Sequence, residues 1–294
     1  MLMRWMVRGV GFAGFLLAVL AAVRAPAFAQ TGAVTLTPAV VEAGSPVLIR
    51  VDAPASAAVD GEWMGRRIEF FHGRSWFALA GVDVASETGP STLKITMKAN
   101  GVVQDLSRTV EIHEAHYKTE SLTVAAGFVE PKESALARIK AESELKARVF
   151  GASAHDRLWD GDFRMPVLST PTDSFGERRM FNGKLASIHQ GMDFHARKGT
   201  PVRAGNSGVV VLARGLYYEG NCVVIDHGLG LFTLSMHLSR TNVHEGQHVS
   251  KGQLLGLSGA TGRVTGPHLH WAVRWEGAYL DPAKLLRMDL SGVR

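Results

Sequence analysis

Two short runs near the C-terminus hold the residues best suited to chemistry. In His189-Gln190-Gly191-Met192-Asp193 an imidazole stands four positions before a carboxylate, and in His268-Leu269-His270 two imidazoles flank one leucine. The second run lies in an apolar stretch, Pro267 to Val273, rich in strand-forming types. Residues two apart on a strand share a face, so both imidazoles meet there while Leu269 turns to the core. The spacing in the first run would suit a helix as well. Gly191 in its middle and Gly199-Thr200-Pro201 beyond it argue instead for an extended or loop segment. Together the runs offer a cation two histidine nitrogens and one carboxylate, with a further histidine beside them. That donor set suits zinc, and three protein ligands leave a fourth position open for water. A closed structural zinc site normally recruits cysteines, and the chain has only Cys222, so a metal here is expected to be catalytic.

These residues resemble those of a known family. Ser187-Ile188-His189-Gln190-Gly191-Met192-Asp193-Phe194, then Ser235-Met236-His237-Leu238, then Gly266-Pro267-His268-Leu269-His270-Trp271 are similar in order and spacing to the motifs of lysostaphin-type zinc metallopeptidases, which are peptidoglycan endopeptidases. The similarity runs from about Leu158 to Pro282. It implies His189, Asp193 and His270 as ligands of one Zn2+ per chain and His268 as general base. It implies His237 as the group that polarises the carbonyl or stabilises the developing oxyanion. The family usually has an aromatic residue two places before the middle histidine, where this chain has Ser235. The stretch from Asp173 to Arg178 also resembles the start of the family's domain, and Arg178 reads equally as a groove residue or a surface arginine.

The elements that must position these groups are mainly strands. Gly208–Leu212, Cys222–Asp226, Leu231–His237, Gln253–Gly256 and His268–Arg274 alternate with glycine turns, which predicts an antiparallel β peptidase domain over residues 158–294. Upstream, Val34–Thr37, Val47–Val51, Ile68–Phe71, Ser75–Leu79, Ser91–Met97 and Ser107–His113 read as short strands. Their spacing predicts an immunoglobulin-like β-sandwich over residues 30–126. Phe70, Phe71, Trp76 and Phe77 read as core there, and His72, His113 and His116 as surface or interface residues. Between the domains, Pro131 followed by helix-favouring residues up to Phe150 and a stop at Gly151 predicts a connecting helix within a linker of residues 127–157. The fold class is therefore mainly β, with two β domains and one helix between them.

A chain of 294 residues, 46% hydrophobic and 20% charged, is globular and long enough for about two domains. Residues 1–29 read as a secretory signal peptide: Arg4 and Arg8 precede the apolar run Gly9–Val23, and Ala27-Phe28-Ala29 supplies a small-x-small cleavage pattern. The run is about 15 residues, short of the roughly 20 that a spanning helix needs. Removing residues 1–29 takes away three arginines and no acid, so the formal charge falls from +5 to +2. That is too little to imply a nucleic-acid partner, and no other stretch is apolar enough to form a membrane span. One cysteine permits no intrachain disulfide, and Cys222 sits in strand-like text as an inert core thiol.

The remaining histidines sort by context. His195, two residues past Asp193, competes weakly as a ligand; His227 ends a strand and is a candidate for orienting a ligand from behind; His244 and His248 lie in polar loops. The expectation is an exported, periplasmic or secreted zinc metalloendopeptidase that cuts amide bonds in peptidoglycan stem-peptide cross-links. Two alternatives are weighed: a non-catalytic zinc-binding regulator of cell-wall amidases, and a carrier module. The second rests on Gly246–Gly256, similar to the turn of biotinyl domains, in which Lys251 lacks a flanking modification motif. The two-domain layout further suggests a sandwich that covers the groove until a partner or substrate displaces it.

Overall fold

The computed structural model describes residues 34–122, 131–172, 174–181 and 184–293. The signal-peptide reading of residues 1–29, the boundary at residues 126–127 and Asp173 lie outside the described residues. The N-terminal half contains β1 (Val34–Thr37), β2 (Val41–Glu42), β3 (Pro46–Val51), β4 (Ala58–Trp63), β5 (Arg66–Glu69), β6 (Phe71–His72), β7 (Trp76–Gly81), β8 (Gly89–Ala99), β9 (Val102–His113) and β10 (Thr119–Leu122). Helix α1 (Glu133–Phe150) follows. The C-terminal half contains β11 (Arg178–Phe181), β12 (Lys184–Ile188), β13 (Met192–Phe194), β14 (Pro201–Arg203), β15 (Gly208–Leu216), β16 (Gly220–Asp226) and β17 (Leu231–Thr241). It closes with β18 (His248–Val249), β19 (Leu254–Ser258), β20 (Leu269–Trp275), β21 (Ala278–Leu280) and α2 (Pro282–Arg287).

The fold is mainly β, as the alternation of apolar and polar residues requires. In the N-terminal half the order β1-β3-β7-β6 forms one sheet and β2-β9-β8-β4-β5 a second. Val47, Ile49 and Val51 from the first, and Trp63, Leu93, Ile95 and Met97 from the second, are buried in one core. The stretch Ile68–Phe71, expected as one strand, is split at Phe70 into β5 and β6, which belong to different sheets. In the C-terminal half nine strands form one sheet in the order β13-β20-β17-β16-β15-β18, with β14, β19 and β21 attached. A fourth, small sheet joins the halves, because β10 pairs in parallel with β11.

The large sheet has two faces, and alternation assigns each residue to one. Leu231, Val223, Ile225, Leu269, Trp271 and Val273 point into the main core, which is continuous with that of the sandwich. Phe232, Leu234, Met236, Val224, Cys222 and Ala272 point to the other face. There Leu145, Val149 and Phe150 of α1 pack on them, with Phe150 edge-on to Phe232 at 5.2 Å and Arg274 stacked 4.0 Å over Phe150. Helix α1 is thus docked on the large sheet by an apolar stripe. Burial pushes the Cys222 thiol far up, so it is protonated and inert as expected.

The sandwich rests on the β21–α2 end of the C-terminal half. Asp83 accepts from the Tyr279 backbone N–H at 2.7 Å, Lys284 donates to Glu42 at 2.6 Å, and Arg66 donates to the Glu276 carbonyl at 2.9 Å. Tyr117 packs edge-on against Phe175 at 5.4 Å. Among the described residues, no sandwich side chain has a hydrogen bond or ring contact to His189, Asp193, His237, His268 or His270. No described helix is long and apolar enough to cross a membrane.

Candidate metal centre

The first ligand run is extended, with Met192–Phe194 forming β13 and Asp193 directly opposite His270 of β20. Residues opposite each other on antiparallel strands share a face, so register alone brings the carboxylate to the imidazole. His189 arrives from the end of β12, and His268 from the residue before β20, where it bridges Gly259. His270 Nδ1 lies 2.9 Å from Asp193 Oδ1 and 3.1 Å from His189 Nε2, and His189 Nε2 lies 3.5 Å from the same carboxylate oxygen.

The donor set fits zinc. Bonds of about 2.0–2.2 Å at tetrahedral angles place neighbouring ligand atoms about 3.3 Å apart, and the three separations here scatter around that value. The other nitrogen of His189 is committed, since its Nδ1 donates to the Ser174 carbonyl at 2.8 Å, leaving the Nε2 lone pair for a cation. Gly191 is required sterically: a Cβ there would stand 2.3 Å from His270 Nε2. Burial alone would raise the Asp193 carboxyl, but the neighbouring His189 and His270 imidazoles outweigh it and hold the group well below the usual carboxylate range. Burial lowers the pKa of His270. A carboxylate and two imidazoles thus converge on one point, an arrangement that could hold a cation.

Two histidines flank this cluster. His268 donates from Nδ1 to the Gly266 carbonyl at 2.9 Å, and its Nε2 lies 3.8 Å from Asp193 Oδ1, so a lone pair faces the ligands. The His237 ring stands 4.9 Å from that of His268 and 6.0 Å from that of His270, and its Nδ1 donates to the Thr261 carbonyl at 2.9 Å. Burial pushes His237 down to about 4, so it is neutral at pH 7 with a bare Nε2.

All five residues named from the sequence therefore lie together, and the other histidines lie elsewhere. His195 is exposed, and among the described residues it engages the chain through its backbone. His227 does not orient a ligand. It is fully buried between the Ser207 carbonyl at 2.7 Å and Thr233 Oγ1 at 2.8 Å, because its place at the end of β16 points it into the main core. Arg178 is exposed and lines a cleft with Glu87, Glu114 and Tyr117 between the halves.

Thr172 and Ser174 were missed by sequence reasoning. The Thr172 N–H donates to the Asp193 carbonyl at 2.8 Å, and the Asp193 N–H donates to Ser174 Oγ at 3.2 Å. With the Ser174 carbonyl on His189, Thr172 and Ser174 strap His189 and Asp193 in place. Most of these bonds use backbone atoms, which residue type does not reveal.

Comparison with known proteins agrees with this geometry. Residues 187–282 match the family described as Peptidase family M23. The peptidoglycan DD-endopeptidase ShyA of Vibrio cholerae is 46% identical over 114 residues, which are 38% of this chain and 26% of ShyA. The DD-carboxypeptidase/endopeptidase Mpg of Neisseria meningitidis is 42% identical over 98 residues, 33% of this chain and 23% of Mpg. The matched segment thus spans about a quarter of these curated relatives. A crystal structure of a candidate peptidase M23 from Pseudomonas aeruginosa superposes over 83% of this chain and 94% of that one, with a TM-score of 0.66 and 25% identity. Sequence motifs, ligand geometry and fold agree, and the chain carries a domain of peptidase family M23.

Proposed function

We propose that the chain is an exported zinc metalloendopeptidase that hydrolyses amide bonds in peptidoglycan stem-peptide cross-links. The observation that carries this reading is the convergence of His189 Nε2, Asp193 Oδ1 and His270 Nδ1 beside two further histidines with free lone pairs. The names of the relatives, a DD-endopeptidase and a DD-carboxypeptidase/endopeptidase, support a bond between D-configured residues of the cell wall. Such a substrate implies export, in keeping with the reading of residues 1–29 as a signal peptide. The division into residues 30–126, 127–157 and 158–294 is part of the same proposal.

His189, Asp193 and His270 would hold the metal. A bound zinc ion supplies a Lewis acid for the scissile carbonyl and brings the pKa of a water towards about 7. The rest of the chemistry falls to the protein. His268 has its tautomer fixed by Gly266, so Nε2 takes the proton of the attacking water and passes it to the leaving amine. His237 has its Nδ1–H committed to Thr261, so in the neutral form it offers only an acceptor at Nε2. Through that acceptor it takes a hydrogen bond from the attacking water and orients it beside His268.

Digestion of purified sacculi by the chain from Gln30 onward, with and without chelator, tests this. Mass analysis should show chelator-sensitive conversion of cross-linked muropeptide dimers to monomers. Tightly bound zinc with no conversion of any wall substrate would instead favour the regulator of amidases.

A further inference from the structure

Helix α1 and the metal centre lie on the same face of the large sheet, and a short hairpin connects them. On α1, Arg138, Glu142, Lys146 and Phe150 recur every four residues and form one stripe. Glu142 Oε2 accepts the backbone N–H of Tyr217 at 2.7 Å. Arg138 donates to Glu142 Oε1 at 2.7 Å and sits 5.9 Å over the Tyr217 ring. Lys146 pairs with Glu219 Oε1, and the Glu219 side chain is only 13% exposed. Its other oxygen, Oε2, is buried with no hydrogen-bond partner among the described residues. A carboxylate so placed depends on its cation.

The hairpin leads to His237. The Glu219 carbonyl accepts the His237 N–H at 2.9 Å. His237 stands in a bulge of β17: Val223 pairs with Ser235 but Asn221 pairs with Leu238, so β17 carries one residue more than β16 across this step. Without the bulge an odd-numbered residue would follow Ser235 and Thr233 to the opposite face. With it, His237 joins Met236 on the metal face, at a φ of +62° that a side chain with a Cβ adopts only under constraint.

We propose that α1 is a positioning element of the active site, with Lys146 and Glu142 fixing the Tyr217–Glu219 hairpin so that the Glu219 carbonyl holds His237 in its bulged conformation beside His268. Lys146 and Glu142 touch neither substrate nor metal and act through the hairpin. Loss of Lys146 leaves the Glu219 carboxylate unpaired, the hairpin moves to hydrate it, and the His237 amide loses its acceptor. The backbone then relaxes from positive φ and the imidazole leaves its place. The metal ligands come from β12, β13 and β20 and are untouched.

The test uses the full zinc-loaded chain and rests, for its turnover arm, on the peptidase reading above. Lys146→Met should lower kcat on sacculi about tenfold, as misplacement of a group at the reacting centre does, with KM and bound zinc unchanged. Glu142→Gln should act in the same direction and Lys146→Arg should restore most of the rate. Lys140→Met, on the exposed side of α1, is the charge control. An unchanged kcat in Lys146→Met, an equal loss in Lys140→Met, or loss of zinc with activity would each overturn the proposal. If the wild-type chain releases nothing from sacculi, the peptidase reading fails, and amide hydrogen exchange still decides this one. Exchange at His237 should quicken in Lys146→Met while β8 stays protected; an unchanged His237 amide would sink it.

Discussion

One face of the large sheet carries two regions of opposite character. At one end Phe232, Leu234 and Met236 are sealed under Leu145, Val149 and Phe150 of α1. At the other, Asp193, His268 and His270 stand partly open, their side chains 25%, 24% and 12% exposed. The same strands supply both ends: Phe232 and His237 are both on β17, and Ala272 and His270 are both on β20. Alternation decides which face a residue takes, but cover decides what it can do there. An apolar end under a helix gains stability from burial. A polar end without a lid keeps donor atoms that only a cation or a substrate satisfies.

Three substitutions probe that contrast, and the largest effect belongs to the open end. His189→Ala removes one of the three proposed ligands, so bound zinc and turnover should both disappear, as metal analysis and muropeptide release would show. His268→Ala should leave zinc bound and lower kcat by roughly 10²–10⁴, the contribution of a general base. Loss of zinc from that variant would mean that His268 is a ligand. At the covered end, Phe232→Ala should cost about 3–5 kcal/mol of stability through the cavity it leaves. Denaturant unfolding measures that cost, and chelator competition on the folded variant should show wild-type zinc affinity. A weakened zinc site would mean that the two ends are coupled through β17 more tightly than the contacts imply.

The grouping of the candidate ligands was legible because its information is local. His189, Asp193, His268 and His270 sit in two runs whose spacing and strand-forming context put them on one face. The sandwich was legible for a similar reason, except at β4, where Asp60, Gly61 and Glu62 give a strand little propensity signal and tertiary pairing with β5 and β8 decides. Helix α2 was not predicted from the sequence, although Asp281 before Pro282 is its start signal: the aspartate caps the helix by accepting from the Ala283 N–H at 2.8 Å. The bulge at His237 was not readable, because it depends on the register between β16 and β17. The docking of α1 was equally hidden, since an imperfect apolar stripe does not say what it will cover.

His227 sharpens the contrast from the opposite face of the sheet. It is a histidine of the same chain, buried like His237, yet both its ring nitrogens are spent on Ser207 and Thr233 and none is left for a metal or substrate. Burial pushes it down to about 4 from the ordinary 6.5. Between those values the unfolded chain binds a proton that the folded chain refuses, so stability rises with pH. The contribution is fully present above pH 6.5 and is lost as pH falls towards 4, a difference of about 3 kcal/mol at 1.36 kcal/mol per pH unit. His227→Gln keeps a polar group between the same partners but cannot titrate. Metal-free wild type and variant, unfolded in urea across pH 4–7, should therefore converge in stability at the acid end of that window. Parallel curves would place the acid sensitivity elsewhere, with the site histidines the next candidates. Convergence would show that a buried histidine in this fold is a stability group wherever both nitrogens are spent, and a chemical one only where a nitrogen is left free.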